Sequence, residues 1–212
     1  MKIAIIGYGK MGHIVEQIAL RRGHEIVCII DLDVQQGKLS DADAAIEFST
    51  PATAEKNVRM CWAEGVPVVC GTTGWNAAAL LEEDKRTHNM PMLVWKSNFS
   101  VGVNLFFELN KKLAEMMVQH PQYTPSIEEI HHIHKLDKPS GTAKTLAEGI
   151  RDVKTDRFEN LKIESIREGE VPGTHTVTWD SPEDTIVITH IAKGREGFAL
   201  GAVIAAEEIV GI

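Results

Sequence analysis

Short, branched apolar runs alternate with stretches of helical spacing over the first half of the chain. Lys2 to Ile6 reads as a buried strand, and a helix from His13 to Arg22 follows it. A second apolar strand, Glu25 to Ile30, ends at Asp31. The next strand is Ala44 to Phe48. Only about twelve residues separate the two, barely enough for a crossover, so the helix expected there shrinks to a turn or two. Ser49-Thr50-Pro51 opens a helix through Ala63, with the proline close to its first turn. Val66 to Cys70 is the fourth strand, a helix runs from about Ala77 to His88, and Met92 to Trp95 is the fifth strand. Strand and helix alternating over residues 1 to about 96 imply a parallel sheet.

The pattern changes around Lys96 to Ser100. A long amphipathic helix is predicted from about Val101 to Val118, with Val101, Leu105, Leu109, Leu113 and Met116 as its core stripe. Thr124 to His132 alternates like a strand, and Thr142 to Arg151 is helical with Ala143, Leu146, Ala147 and Ile150 on one face. Leu161 to Ile166, His175 to Trp179 and Thr185 to Thr189 read as strands joined by short turns, the mark of a largely antiparallel sheet with an exposed face. Phe198 to Ala206 is a helix of small residues, expected to return to the first domain. The fold class is therefore α/β: a Rossmann-type domain with a parallel sheet, then a smaller α+β domain with a mixed, largely antiparallel open sheet. The boundaries fall at residues 1–97 plus about 190–212 for the first domain and about 98–189 for the second.

The 212 residues are 43% hydrophobic and 25% charged, enough for one or two compact domains with a substantial core. A net charge of -8 argues against a nucleic-acid partner. No apolar run approaches the roughly 20 residues of a membrane helix. Cys28, Cys61 and Cys70 lack a C-x-x-C spacing, and two of them lie in apolar runs, so buried reduced thiols in a cytoplasmic protein are expected.

Two segments carry chemistry. Gly7-Tyr8-Gly9-Lys10-Met11-Gly12 is a G-x-G-x-x-G between a strand and a helix. Asp31 lies roughly 20 residues further on, where a dinucleotide fold places the acid that accepts the ribose hydroxyls. The second segment, His131-His132-Ile133-His134-Lys135 followed by Lys138-Pro139-Ser140-Gly141-Thr142-Ala143, concentrates cations in an acidic chain. It ends at a helix start whose free N–H groups can hold an anion. Such a segment suits a site that protonates a small anionic substrate.

These stretches, with Gly71-Thr72-Thr73-Gly74, Ser97-Asn98-Phe99-Ser100-Val101-Gly102-Val103-Asn104, Glu129-Ile130 and the distal His190-Ile191-Ala192, Arg195 and Phe198 to Ala202, closely resemble the 4-hydroxy-tetrahydrodipicolinate reductase (dihydrodipicolinate reductase) family of the diaminopimelate route to lysine. The resemblance spans essentially the whole chain. It departs in a compact glycine turn, in Ile133 where many members carry arginine, and in the short second crossover. It implies reduction of a cyclic conjugated dicarboxylate by NADH, NADPH or both, with loss of the ring hydroxyl as water, in a homotetramer paired through the second sheet. It assigns His131 and Lys135 as the acid/base pair, with Lys135 the favoured donor. His132, Gly141 and Thr142 are implied to bind substrate. Ser140 either joins them or serves only as the helix cap. Gly7 to Gly12, Asp31, Gly71, Thr72, Thr73, Ser97, Asn98 and Phe99 are implied on the nucleotide side. Asp31 favours NADH because a carboxylate repels a 2′-phosphate; Lys10 is either a solvated first-turn lysine or the residue that admits NADPH. Arg195 either steadies substrate or locks the two domains together.

Three rivals remain at this level. His132 and His134 could share a strand face and bind zinc, but no third ligand is fixed and the flanking lysines repel a cation, so no metal is expected. A nicotinamide sensor would have no use for Lys135 and the anion cradle. A dehydrogenase of another small carboxylate or sugar would not need the Pro139 to Ala143 block.

Overall fold

The computed structural model describes residues 1–32, 34–87, 92–153 and 156–211. The chain forms two compact units, residues 1–100 with 195–212, and 101–194. His88, expected to end a helix, and Ile212 lie outside the described residues.

In the first unit the order is β1 (Lys2–Ile6), α1 (Lys10–Arg21), β2 (Glu25–Asp31), β3 (Val34–Gly37), a 3₁₀ turn at Leu39–Asp41, β4 (Ala44–Glu47), α2 (Ala54–Ala63), β5 (Val68–Cys70), α3 (Ala77–Thr87) and β6 (Leu93–Trp95). The sheet runs β3-β2-β1-β4-β5-β6 and is parallel except for β3. The short β2–β4 connection thus differs from expectation. It is not a shrunken helix but an antiparallel edge strand plus a 3₁₀ turn. Gly37 makes this turn-back possible: its φ is +73° and a Cβ there would lie 1.9 Å from the Val27 carbonyl oxygen. The helix expected from Ser49 begins only at Ala54.

The second unit comprises α4 (Val101–Met117), β7 (Thr124–His131), α5 (Gly141–Arg151), a 3₁₀ turn at Asp156–Phe158, β8 (Lys162–Arg167), β9 (Thr174–Asp180) and β10 (Thr185–Ile191). The sheet order is β10-β9-β7-β8. β7 and β8 are parallel, bridged by α5, and the other pairs are antiparallel. Its core joins Phe106, Ala114 and Met117 of α4 to Ala143, Leu146, Ala147 and Ile150 of α5, over Ile127, Val177 and Trp179 of the sheet. Burying a leucine or isoleucine of this kind contributes about 1.5–3 kcal/mol.

The face of α4 corrects the pattern reading. Leu105 and Met116, two members of the expected core stripe, are 65% and 66% exposed; Val101 and Leu109 are exposed too, and Leu113 is half-buried. The buried face is Val103, Phe106, Asn110, Ala114 and Met117. Fit, rather than bulk, decides this. Small Ala114 and the Asn110 amide, whose Nδ2 donates to the Leu146 carbonyl at 2.9 Å, let α5 approach closely. The Leu stripe is too wide for that contact and stays outside.

The chain returns to the first unit in α6 (Glu196–Val210), as the small-residue run suggested. Ala199, Ala202, Val203 and Ala206 pack with Ile3, Val15 and Phe99. Among the described residues, no helix is long and apolar enough to cross a membrane.

Close approach governs α6. A Cβ at Gly201 would fall 1.7 Å from the Phe99 carbonyl oxygen, whereas at Gly197 the nearest atom is 3.6 Å away. Gly201→Ala should therefore cost about 2–4 kcal/mol in denaturant unfolding, while Gly197→Ala is neutral or stabilising by up to about 1 kcal/mol.

Candidate active site

In the first unit, three glycines shape the turn after β1 for different reasons. Gly7 has φ +87° and would place a Cβ 2.2 Å from the Phe48 carbonyl oxygen. A Cβ on Gly12 would meet the Gly7 carbonyl oxygen at 2.4 Å. Gly9 has nothing within 4 Å; it is the N-cap of α1 and supplies no side-chain cap, and the first turn carries no acid. Backbone N–H groups at such a helix start have no intrahelical partner and attract an anion. Asp31 closes the turn from β2: Tyr8 N–H donates to its Oδ2 at 3.0 Å and Leu32 N–H to its Oδ1 at 2.8 Å. A cavity of about 280 Å³ opens beside it, lined by Ile6, Gly7, Ile30 and Asp31 and walled by Ser49, Thr53, Lys56, Asn57 and Met60. The second wall was not read from the sequence.

Glu47 holds that wall in place. It is fully buried. It accepts from the Ser49 hydroxyl, from Ser49 N–H at 3.2 Å, from Asn57 Nδ2 at 3.2 Å and from Cys70 Sγ at 3.0 Å. Burial pushes the Cys61 thiol up to about 12, and burial followed by the Glu47 charge pushes Cys70 higher still. Neither is a nucleophile at neutral pH.

The other residues expected on the nucleotide side differ in character. Lys10 is exposed and Met11 packs on the core. A Cβ on Gly71 would strike the Phe48 ring at 2.0 Å. Thr72 is buried; its Oγ1 accepts from Ser49 N–H at 2.9 Å and its carbonyl from the indoles of Trp75 and Trp95, both at 2.8 Å. Thr73 and Ser97 are exposed, and Asn98 Oδ1 accepts from Ser100 N–H at 2.9 Å. The Phe99 side chain lies in the core.

In the second unit, alternation along β7 turns Pro125, Ile127, Glu129 and His131 inward. Register then sets Glu129 opposite His175 of β9, and His131 beside Arg167 of β8. Glu129 Oε2 accepts from His131 Nδ1, while its Oε1 accepts from Arg167 Nη2 at 3.0 Å and from Ser140 N–H at 3.3 Å. Arg167 also donates to the Lys135 carbonyl at 3.2 Å and to the Asp137 carbonyl, fixing the loop that carries Lys135. The Lys135 ammonium pairs with Asp137 at 2.8 Å. Ser140 caps α5, accepting from Ala143 N–H at 3.2 Å, and its hydroxyl lies 3.1 Å from His175 Nε2. Gly141 is exposed with nothing within 4 Å of a Cβ, and Thr142 is half-buried beside it.

This arrangement brings His131, Lys135 and the α5 N-terminus onto one network. His132 stands next to it, half-buried, its N–H on the Val171 carbonyl at 2.8 Å. β7 ends at His131, so His132 and His134 lie in the following loop and not on a strand face; His134 is exposed against Glu170. Glu129, His131 and His175 do offer ligand atoms within 4.8 Å of one another, but Arg167 occupies the carboxylate. Arg167, His175 and Asp137 were not singled out by sequence reasoning. His190 sits on β10 and Arg195 at the start of α6, in different units.

Burial alone would raise Glu129, but hydrogen bonds from Arg167, Ser165 and His131 outweigh it and hold the carboxyl below its usual range. Burial lowers His131, opposed by the Glu129 bond and charge and reinforced by Lys135 and Arg167. His175 is pushed down to about 4 by burial first and by the His131 charge next. The site thus holds an ionised acid and a neutral buried imidazole beside the start of α5.

Comparison with known proteins identifies the family. Residues 1–99 match the family model "Dihydrodipicolinate reductase, N-terminus" and residues 102–211 match "Dihydrodipicolinate reductase, C-terminus". The chain is 48% identical to 4-hydroxy-tetrahydrodipicolinate reductase of Christiangramia forsetii over 98% of this chain and 91% of that one. It is 34% identical to the enzyme of the same name from Archaeoglobus fulgidus, over 99% of this chain and 94% of that one. Among solved structures, dipicolinate-bound dihydrodipicolinate reductase from Paenisporosarcina sp. TG-14 superposes with a TM-score of 0.75 at 20% identity, covering 100% of this chain and 95% of that chain, a likeness of fold. Matched in both halves and along nearly its full length, the chain belongs to the 4-hydroxy-tetrahydrodipicolinate reductase family.

Proposed function

We propose that Lys135 delivers the proton and His131 serves as its acid/base partner in the reductase reaction, with the dicarboxylate held by His132 and by the Gly141 and Thr142 end of α5. The reaction is the family's reduction of 4-hydroxy-tetrahydrodipicolinate to tetrahydrodipicolinate, with loss of water, in the diaminopimelate pathway of lysine biosynthesis. A reduced nicotinamide supplies the hydride. Negative charge then builds on the substrate, and a positioned acid that neutralises it contributes about 10²–10⁴-fold. The observation that carries this reading is the single buried network joining His131, the Lys135 loop and Ser140 at the head of α5. The helix start suits a substrate carboxylate, and the dipicolinate found on the Paenisporosarcina protein is a carboxylate of the same class.

On the nucleotide side, the fold fits a dinucleotide: the open space over Gly9, the uncapped α1 start and the cavity beside Asp31. NADH is favoured by Asp31, with NADPH admitted by Lys10. The three free, buried cysteines suit a reducing, cytoplasmic setting. A homotetramer through the second sheet is supported by exposed Val187 and Ile191 on β10.

Three measurements check these readings. Lys135→Ala should lower kcat by about 10² or more with NADH affinity nearly unchanged, read from initial rates on freshly condensed pyruvate and aspartate semialdehyde. Wild-type turnover would remove Lys135 from the donor role. Asp31→Ala should weaken NADH more than NADPH in fluorescence titration, and equal losses would contradict the ribose contact. Light scattering should give four times the chain mass at working concentration; a monomer would overturn the assembly.

A further inference from the structure

Glu129 is a charged residue on a sheet face that buries Ile127, Val177 and Trp179 in the apolar core and His131 and His175 beside them. Its side chain has no exposure, so every lone pair must be met by protein. A buried ion pair placed for stability alone is often matched or bettered by apolar residues of similar volume. Apart from Ser165 on the neighbouring strand, each partner of the carboxylate leads to the reaction site. Oε2 meets His131 Nδ1. Oε1 meets Arg167, whose guanidinium also holds the Lys135 and Asp137 carbonyls, and the backbone N–H of Ser140, the cap of α5.

We propose that Glu129 is a positioning residue: its carboxylate fixes the tautomer of His131 and sets that imidazole in register with the Lys135 loop and the α5 N-terminus. The proposal rests on the reading of His131 as a proton-transfer group.

The chemistry of the carboxylate dictates the tautomer. An ionised carboxylate only accepts, so the neutral imidazole must carry its proton on Nδ1 and present Nε2 as an acceptor. The Nε2 edge faces Gly173, where a Cβ would come within 3.0 Å; glycine leaves that edge uncovered. Without Glu129 the imidazole could take either tautomer. The charged and titratable groups around His131 are Glu129 on its own strand, Arg167 from β8, His175 from β9 with ring centroids 5.0 Å apart, and Lys135 from the loop, itself paired with Asp137. Of these, Glu129 alone among the direct partners favours the imidazolium. Removing its charge therefore moves the His131 titration to lower pH.

The test uses the full chain and reads the histidine ring nitrogens by long-range ¹⁵N–¹H correlation. The wild-type protein should show His131 protonated on Nδ1. In Glu129→Gln the amide oxygen stays on Arg167 and Ser140 while the amide N–H₂ faces the ring, so the proton should move to Nε2 and the titration midpoint should fall. kcat should drop by about 10- to 100-fold with substrate KM within about threefold and NADH binding unchanged. Glu129→Asp, which keeps the charge, should restore the Nδ1 tautomer and part of the rate. A purely structural role would move stability and leave tautomer and kcat alone, and that result overturns the proposal. His131→Ala and Lys135→Ala separate the two levels: if they lose activity and Glu129→Gln does not, the positioning role fails alone; if they retain full activity, the catalytic reading fails and the positioning role falls with it. Should Glu129→Gln not fold, the wild-type spectrum still decides, because protonation on Nε2 excludes the carboxylate as the orienting group.

Discussion

The register of β7 is the constraint on which the second unit depends. Because side chains alternate along a strand, one choice of pairing turns Ile127, Glu129 and His131 inward together; a slip of one residue would bury Glu128 and Ile130 instead and expose the network. The same pairing sets Glu129 beside His175 and His131 beside Arg167. Hydrophobic Ile127, packed with Val177 and Trp179 against α5, fixes the register through burial. The polar end of the strand is then carried into place by the apolar end. Chemistry and core are consecutive parts of one strand.

The first unit reaches its site by another route, the close approach of backbones. Gly7 lies against the Phe48 carbonyl, Gly12 against Gly7, and Gly201 against Phe99. Each of these positions excludes a Cβ, which draws α1 and α6 down onto the sheet. Gly9 stands apart because the space above it is empty. Of these four glycines, three pack and one leaves room. Glu47 adds a buried carboxylate to this wall, met by hydroxyl, amide and thiol donors, and so shapes the Ser49–Thr53 segment.

Local signals were legible in the sequence; choices between competing faces were not. The strand-glycine-helix start, the return of α6 and the inner face of α5 follow from spacing, since each pattern has one reading. α4 has two adjacent apolar arcs, and spacing favoured the bulkier Leu105–Leu109 arc. Packing took the arc with Ala114 and Asn110 because α5 approaches closely there. β3 escaped notice because Val34-Gln35-Gln36-Gly37 is exposed at every position and carries no burial pattern to read. Arg167 and His175 were missed for a different reason: each reaches the site by cross-strand pairing, over a sequence separation that periodicity does not address. One signal was available. In a strand alternating inward and outward, Glu129 falls on the same parity as Ile127, and a carboxylate at a core position requires hydrogen-bond donors from elsewhere in the chain.

That requirement links function to stability. Desolvating Glu129, Arg167, His131 and His175 in one place costs free energy that an apolar cluster would not. The structure limits the cost by pairing charges and by keeping His175 neutral. Its folded value of about 4 lies below the ordinary histidine value of 6.5. The stability it contributes is therefore fully present above pH 6.5 and is lost as pH falls toward 4, because the unfolded chain binds the proton that the folded chain refuses. The lowered His131 titration acts in the same direction. The Glu129–His131–His175 cluster is thus sensitive to acid, and the apolar core of α4, α5, Val177 and Trp179 is what holds β7 in register while that cluster stays uncharged on its histidines.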